Sequence, residues 1–458
     1  DTNQSWNDSS HVIRRYNLEH TYHNHLALTT IQEQDRAGAQ LQAVGFAHTT
    51  NIGNAANGEA IHTVTNTYGG QVNLTYSRLS CGSAYLTCSG SAPQNGRIVV
   101  QQRDVKPWPT ETASVQSYAY TGGRYAQPDP PNGRWEFWGF AQTTENMTGA
   151  DTAPRRTETH FVNQYAAPTD VQIKGKIDWQ RTVASDTNTE LQRTVYTWTG
   201  AGNFPQMEDM EEYLDNRPHR QQQYFYQLFR QGGRQYGNVT EFQEISGDST
   251  GWAGAPTRTT YNLYYPRNEA GAYVVGKLAR RDLFDGIWCQ EGCGTIAGQT
   301  LFYYDGNSVN TTPPTQGLLT RQAVNSGTSL GWLNTDISYW PGTANVNVVT
   351  DPNGHSHAAF YDSAFRAFPV CGKNASGHTT ITRYFGVPGS IEPGCPTGNG
   401  SDPDPNQPEQ GWFFGEVEDT RDPNDALTSY AYDTWGRLVK VWRPGQVKPT
   451  DSATQIID

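Results

Sequence analysis

The stretch "SYAYDTWGRLVKVWRPG", Ser429–Gly445, carries its own fold prediction. Tyr430 and Tyr432 stand two apart, so on a strand they share one face. Asp433 follows, a residue whose carboxylate accepts backbone N–H bonds at the first position of a turn. Gly436 falls where a type I turn closes and the left-handed conformation is needed. Leu438 and Val439 then open a return strand, which makes the unit a β-hairpin.

A relative lies upstream. "DPNGHSHAAFYDSAFRAFPV" begins at Asp351 and "DPNDALTSYAYDTWGRLVKV" at Asp422, 71 residues on. That offset also aligns Tyr361 with Tyr432, Asp362 with Asp433 and Arg366 with Arg437, without a gap. Phe365 stands where the downstream copy has Gly436. A left-handed Phe would cost about 1–2 kcal/mol, so the upstream turn is expected to take another geometry. Repetition of one supersecondary unit points to a solenoid-like or spiralling architecture.

The rest of the chain agrees. Period-two alternation marks "VNLTYSR" (Val72–Arg78), "SVQSYAYTGGRY" (Ser114–Tyr125), "RTTYNLYY" (Arg258–Tyr265) and "TTITRYF" (Thr379–Phe385) as strands. Hairpin turns are expected at "YGG" from Tyr68, "TGG" from Thr121, "FDG" from Phe284 and "YDG" from Tyr304. "GGRQYGN" (Gly232–Asn238) lacks the lysine of a phosphate loop and reads as hairpin turns. "PQMEDMEEYLDN", Pro205–Asn216, predicts a short solvated helix, opening with Pro and with acids in its first turn. "GNGSDPDPNQPEQG", Gly398–Gly411, reads as a loop.

Composition fits a thin sheet. Only 35% of the 458 residues are hydrophobic, yet 12% are aromatic, too many for disorder and too few aliphatics for a thick core. The 46 Gly and 26 Pro supply frequent turns. With 26 Arg against 7 Lys, forked hydrogen bonding and stacking on Tyr are favoured. A net charge of −12 argues against nucleic acid as a partner. No apolar run reaches the length of a membrane span. Asp1 leads to the expectation of a processed chain or a piece of a longer one.

Six cysteines form near neighbours, Cys81 with Cys88, Cys289 with Cys293 and Cys371 with Cys395. Local disulfides are the preferred reading among fifteen pairings. No zinc-type spacing competes with them, and they imply an oxidising location, secreted or at the cell surface. Sequons at Asn3, Asn7, Asn73, Asn146, Asn238, Asn310, Asn374 and Asn399 are compatible with that location.

Sites for chemistry are sparse. His20, His23 and His25, and likewise His355 and His357, are better read as strand and turn residues than as metal ligands. No G-x-S-x-G elbow is present. Chance pairs of carboxylates carry no weight without a motif. Neither catalysis nor a cofactor is expected.

"YDTWGRL", preceded by "DPNDALTSYAY", resembles the YD repeat of the RHS-repeat family. "RRYNLEHTYHNHLALTTIQEQDRAGAQL" (Arg14–Leu41) with "VTNTYGGQVNLTY" (Val64–Tyr76) is similar to the segment before those repeats in the B component of insecticidal toxin complexes. "YAYTGGRY" followed by "GRWEFWGFAQTTE" (Gly133–Glu145) resembles a strand pair of that family, with Trp138 where Arg is usual. "YVVGKLARRDLFDG" (Tyr273–Gly286) and "QGLLTRQ" (Gln316–Gln322) also fit. The resemblance implies an all-β fold of antiparallel hairpins spiralling as one extended sheet, the wall of a hollow shell. It divides the chain into residues 1–345, similar to the segment upstream of YD repeats, and a YD-repeat region, 346–458. The family's self-cleaving aspartate motif finds no counterpart in these residues.

Two functions follow as expectations. One is a non-enzymatic wall segment whose partners are other segments of a longer chain or an enclosed toxin-like cargo. The other is a structural or adhesive surface protein, associating with identical subunits, filaments included. A carbohydrate-active enzyme is a minor third, which a deep groove lined by Trp and facing carboxylates would revive.

Overall fold

The computed structural model describes residues 14–22, 26–35, 39–49, 60–83, 85–87, 97–126, 135–149, 152–163, 170–200, 205–231, 234–266, 274–287, 295–325, 331–389, 395, 414–433, 436–448 and 452–456. Strands make up 64% of the structure, and 28 of them join into one sheet. Its ladders are antiparallel and follow chain order. Arg14–Tyr22 pairs with Leu26–Asp35, and Ser114–Thr121 pairs with Gln142–Gly149. At the far end Leu427–Tyr432 pairs with Leu438–Trp442, which pairs with Gln455–Ile456. The sheet crosses residue 345 without interruption, since Tyr339 faces Val346.

This order explains the composition. A sequential meander asks of each strand only a neighbour on either side. Among the described residues no second layer of helices covers it, the one helix being Asp170–Ile173. Buried apolar side chains gather in small clusters, one of Tyr265, Ala279 and Tyr304, another of Phe385 and Tyr432. No helix among the described residues is long and apolar enough to cross a membrane.

Ser114–Tyr125 is two strands rather than one. Gly122, at φ +61°, breaks the alternation and the chain leaves the main sheet. Gly123–Ala126 instead pairs with Glu136–Gly139 and, in parallel, with Leu86–Thr87. Trp138 is 1% exposed in this small sheet, with Lys174 Nζ 5.4 Å from its ring centroid.

The expected helix at Pro205–Asn216 is overturned. Gln206–Leu214 is a strand, and Leu214 faces Arg217 across a two-residue turn. Asp215 (φ 50°) and Asn216 (φ 63°) both take the left-handed conformation that a type I′ hairpin requires. Two of the acids that suggested a helix find partners across strands: Glu212 meets Arg220 at 3.0 Å, and Gln221 donates to Asp209 Oδ2 at 2.7 Å. Tertiary partners outweigh the weak propensity of so short a helix.

Other turns also depart from expectation. The hairpin at Tyr68 forms, between Ala60–Thr65 and Gln71–Leu79. At Tyr304 the chain does turn back, but through a loop running to Leu319 and not a tight turn. Residues 234–238 belong to the strand Arg234–Asp248 rather than to turns. The loop expected at 398–411 lies outside the described residues.

Candidate functional site: Asx turns and an aromatic spine

Beginning with the residues that decided the fold, the Asp433 N–H bonds to Arg437 O at 2.9 Å, and Gly436 N–H to Asp433 O at 3.0 Å. The Asp433 carboxylate accepts from Arg437 N–H at 2.9 Å and from its Nε at 2.6 Å. Gly436 sits at φ +79°. The same five-residue turn starts at Asn66, Asp351, Asn374 and Asp422. In each, the side-chain oxygen accepts the N–H groups two and four residues on. The fourth residue is left-handed each time: Gly69, Gly354, Gly377 and Asp425. The two Asp-Pro-Asn segments are therefore the same structure.

Asp362 differs. Tyr361 faces Pro369, whereas Tyr432 faces Leu438, so the upstream turn is two residues longer. Asp362, 1% exposed, accepts from the N–H groups of Ala367 at 2.8 Å and Phe368 at 3.0 Å, and from that of Phe365. Arg366, at φ 54°, takes the left-handed place, and Phe365 avoids it. Arg366 and Arg437 are consequently not equivalent in space, and the gap-free alignment ends at the aspartate.

Tyr361 and Tyr432 each end a strand at a β-bulge, where the register slips by one residue. So do Tyr264, Tyr304, Tyr339 and Tyr384. A bulge disturbs the ladder beside it. In this sheet an aromatic from the next rung reaches into that disturbance. Tyr384 pairs with Val417, and Val417 O accepts the Tyr432 hydroxyl at 3.0 Å. Tyr361 pairs with Pro369, whose carbonyl accepts Tyr384 at 3.2 Å. Tyr304 pairs with Leu319, which accepts Tyr339 at 2.9 Å. Tyr226 pairs with Val239, which accepts Tyr264 at 3.0 Å.

The pattern continues towards the N-terminus. Trp198 pairs with Met207, which accepts Tyr226 at 2.8 Å, and Phe161 pairs with Ile177, which accepts Trp198 Nε1 at 2.7 Å. Tyr76 pairs with Val100, which accepts Tyr120 at 2.7 Å. His48 pairs with Ile61, which accepts Tyr76 at 2.6 Å, and His20 pairs with Leu28, whose carbonyl lies 2.7 Å from His48 Nε2. Contacts of this kind recur from the first described hairpin to the last YD unit. Sequence reasoning found Tyr361 and Tyr432 but missed the other rungs; the available signal was an aromatic closing a strand before an aliphatic residue opens the next.

Burial raises the hydroxyl pKa of Tyr76, Tyr120, Tyr226, Tyr264, Tyr304, Tyr339 and Tyr384, and Tyr432 is pushed up to about 12 by burial, with Glu416 and Tyr430 adding to it. Tyr265 is likewise pushed up to about 12 by burial. At Asp362 burial favours the neutral acid, but the N–H groups of Phe368, Phe365, Ala367 and Arg366 outweigh it and hold the carboxyl below its ordinary value. Near the C-terminal rung, Lys448 donates to Tyr430 O at 2.6 Å and lies 5.2 Å from the Phe385 ring centroid. Its pKa is lowered by burial.

Cys371 and Cys395 form a disulfide with Cα atoms 5.6 Å apart. Cys81 is also disulfide-bonded. Cys88, Cys289 and Cys293 lie outside the described residues, as do His23, His25, Asn3, Asn7 and Asn399. Of the sequons, Asn73 lies on a strand and accepts from Thr63 at 2.8 Å, Asn146 and Asn238 lie on strands, and Asn310 and Asn374 lie in loops. His355 pairs with Asp351 at 3.2 Å within its turn, and His357 lies on a strand. No metal-binding cluster of His, Cys, Asp or Glu occurs among the described residues.

No protein-family profile matches the chain, and no curated protein matches it. Solved structures do. TcdB2-TccC3-TEV matches with a TM-score of 0.59 at 11% identity, over 93% of this chain and 26% of that one. TcdB2-TccC3 matches with a TM-score of 0.59 at 12% identity, again over 93% and 26%. A Photorhabdus luminescens Tc holotoxin pore carrying a TccC3 mutation matches with a TM-score of 0.57 at 11% identity, over 93% and 25%. The chain thus spans about a quarter of the length of the solved chains it matches. The likeness is one of fold, the all-β sheet of antiparallel hairpins that the sequence resemblance implied.

Proposed function

We propose that this chain is a wall segment of an RHS-type shell, without catalysis of its own, which encloses or protects a toxin-like cargo carried elsewhere in the assembly. One observation carries the reading: a single meandering sheet of 28 strands, braced between many of its rungs by aromatics, with no covering layer among the described residues. Such a sheet separates two spaces; it does not converge polar groups on a reacting atom. The shell fold of the Tc toxin chains supports the same reading. Its partners are then neighbouring wall segments and the enclosed cargo, and its location is extracellular. Electron microscopy of the full-length protein tests it: closed hollow particles are expected, and solid or open assemblies would sink it.

The second reading, an extracellular structural or adhesive protein that polymerises, draws on the Cys371–Cys395 disulfide and on loop sequons at Asn310 and Asn374. Mass spectrometry of native material distinguishes glycosylated asparagines at those loops from unmodified ones. Filaments in the same micrographs would favour this reading over enclosure.

A further inference from the structure

We propose that the groove beside the bulge at Glu208 binds a neutral saccharide. Thr197 faces Asp209 while Trp198 faces Met207, so Glu208 is the extra residue of the bulge. The cavity there has a volume of about 610 Å³, and its lining includes Thr197, Gln206, Glu208, Asp209, Gln223 and Phe225. Directly paired residues point to the same side, as do residues two apart. The pairs Thr199–Gln206, Thr197–Asp209 and Asp209–Gln223 therefore place these side chains on one face, together with Phe225.

Two polar atoms in this lining are buried without a hydrogen-bond partner. Gln206 is 5% exposed and its Nε2 has no acceptor. Asp209 Oδ2 is used by Gln221 at 2.7 Å and Gln223 at 3.3 Å, but Oδ1 has no donor. Buried polar atoms left this way are costly and call for a ligand or water. One orphan donates and the other accepts; a sugar hydroxyl does both. Phe225, on the same face, is 46% exposed and offers an apolar platform for the C–H side of a pyranose. Among the described residues no basic side chain lines the groove, and its two carboxylates repel anions, which selects neutral sugars over acidic ones. The inference concerns binding only and holds whether the sheet encloses cargo or polymerises.

The full chain is screened on an array of neutral glycans, followed by saturation-transfer NMR with maltotriose, cellotriose and chitotriose and an acetylated trialanine amide as control. Transfer to at least one trisaccharide is expected, weakened roughly tenfold by Phe225→Ala and lost in Gln206→Leu. Far-UV circular dichroism verifies the fold of each variant; the exposed Phe225 position keeps the test usable where Gln206→Leu misfolds. A silent array, equal transfer in Phe225→Ala, or transfer confined to the peptide amide overturns the proposal.

Discussion

The Tyr432 hydroxyl donates to Val417 O at 3.0 Å, and Val417 itself pairs with Tyr384 across a bulge. One hydrogen bond thus connects two successive rungs. Tyr432→Phe removes the donor and leaves the carbonyl beside a disturbed ladder. A loss of about 1–2 kcal/mol is expected in urea unfolding, while Tyr16→Phe, at a position 54% exposed, leaves the midpoint unchanged.

Alkali acts on the same residue. The Tyr432 pKa rises in the folded chain from its ordinary value of 10.0 to about 12, through burial first and then Glu416 and Tyr430. Its contribution to stability is full below the unfolded value and is lost as pH climbs from 10 towards 12. Tyrosinate absorbance followed with the unfolding midpoint is expected to show late-titrating hydroxyls and falling stability in that window. Tyr432→Phe should flatten the decline.

Glycines in the hairpins are not interchangeable. Gly436 occupies φ +79° at the close of its turn, so Gly436→Ala is expected to cost about 1 kcal/mol. Gly372 lies in the strand Pro369–Lys373 with open space around a would-be Cβ. Gly372→Ala is expected to stabilise by roughly 0.5 kcal/mol. Equal effects at the two positions in thermal unfolding would contradict the turn assignment.

Asp362 supports the longer turn through its carboxylate. Asp362→Ala orphans several buried N–H groups and is expected to cost about 3 kcal/mol, against roughly 1 kcal/mol for the more exposed Asp433→Ala. The Asp362 carboxyl titrates below its ordinary value because N–H bonds overcome burial. Its stabilisation is therefore present above the unfolded pKa of about 3.9 and is lost as pH falls through the lower folded value. Unfolding measured between neutral and acid pH should show a shallower acid decline in Asp362→Asn than in the parent chain.

Turn chemistry made much of the architecture legible. Asp433 and Gly436 state their geometry locally, and the matching Asp-Pro-Asn segments at 351 and 422 fold alike because a side-chain oxygen and a left-handed fourth residue suffice. Gln206–Leu214 was illegible for the opposite reason. Glu212 and Asp209 meet Arg220 and Gln221 on the next strand, and those partners follow from register, which a local pattern does not contain. The bulges escaped for the same cause: a one-residue slip between paired strands belongs to neither strand alone. The orphaned Gln206 amide belongs to this hidden class as well.

Because each aromatic of the spine grips only the rung before it, the sheet is additive, like knitting cast one row at a time. Whole hairpins can be gained or dropped in evolution while the stitches on either side still close, provided an aromatic ends one row and an aliphatic begins the next. The breadth of the sheet then becomes a matter of row number, independent of any central core.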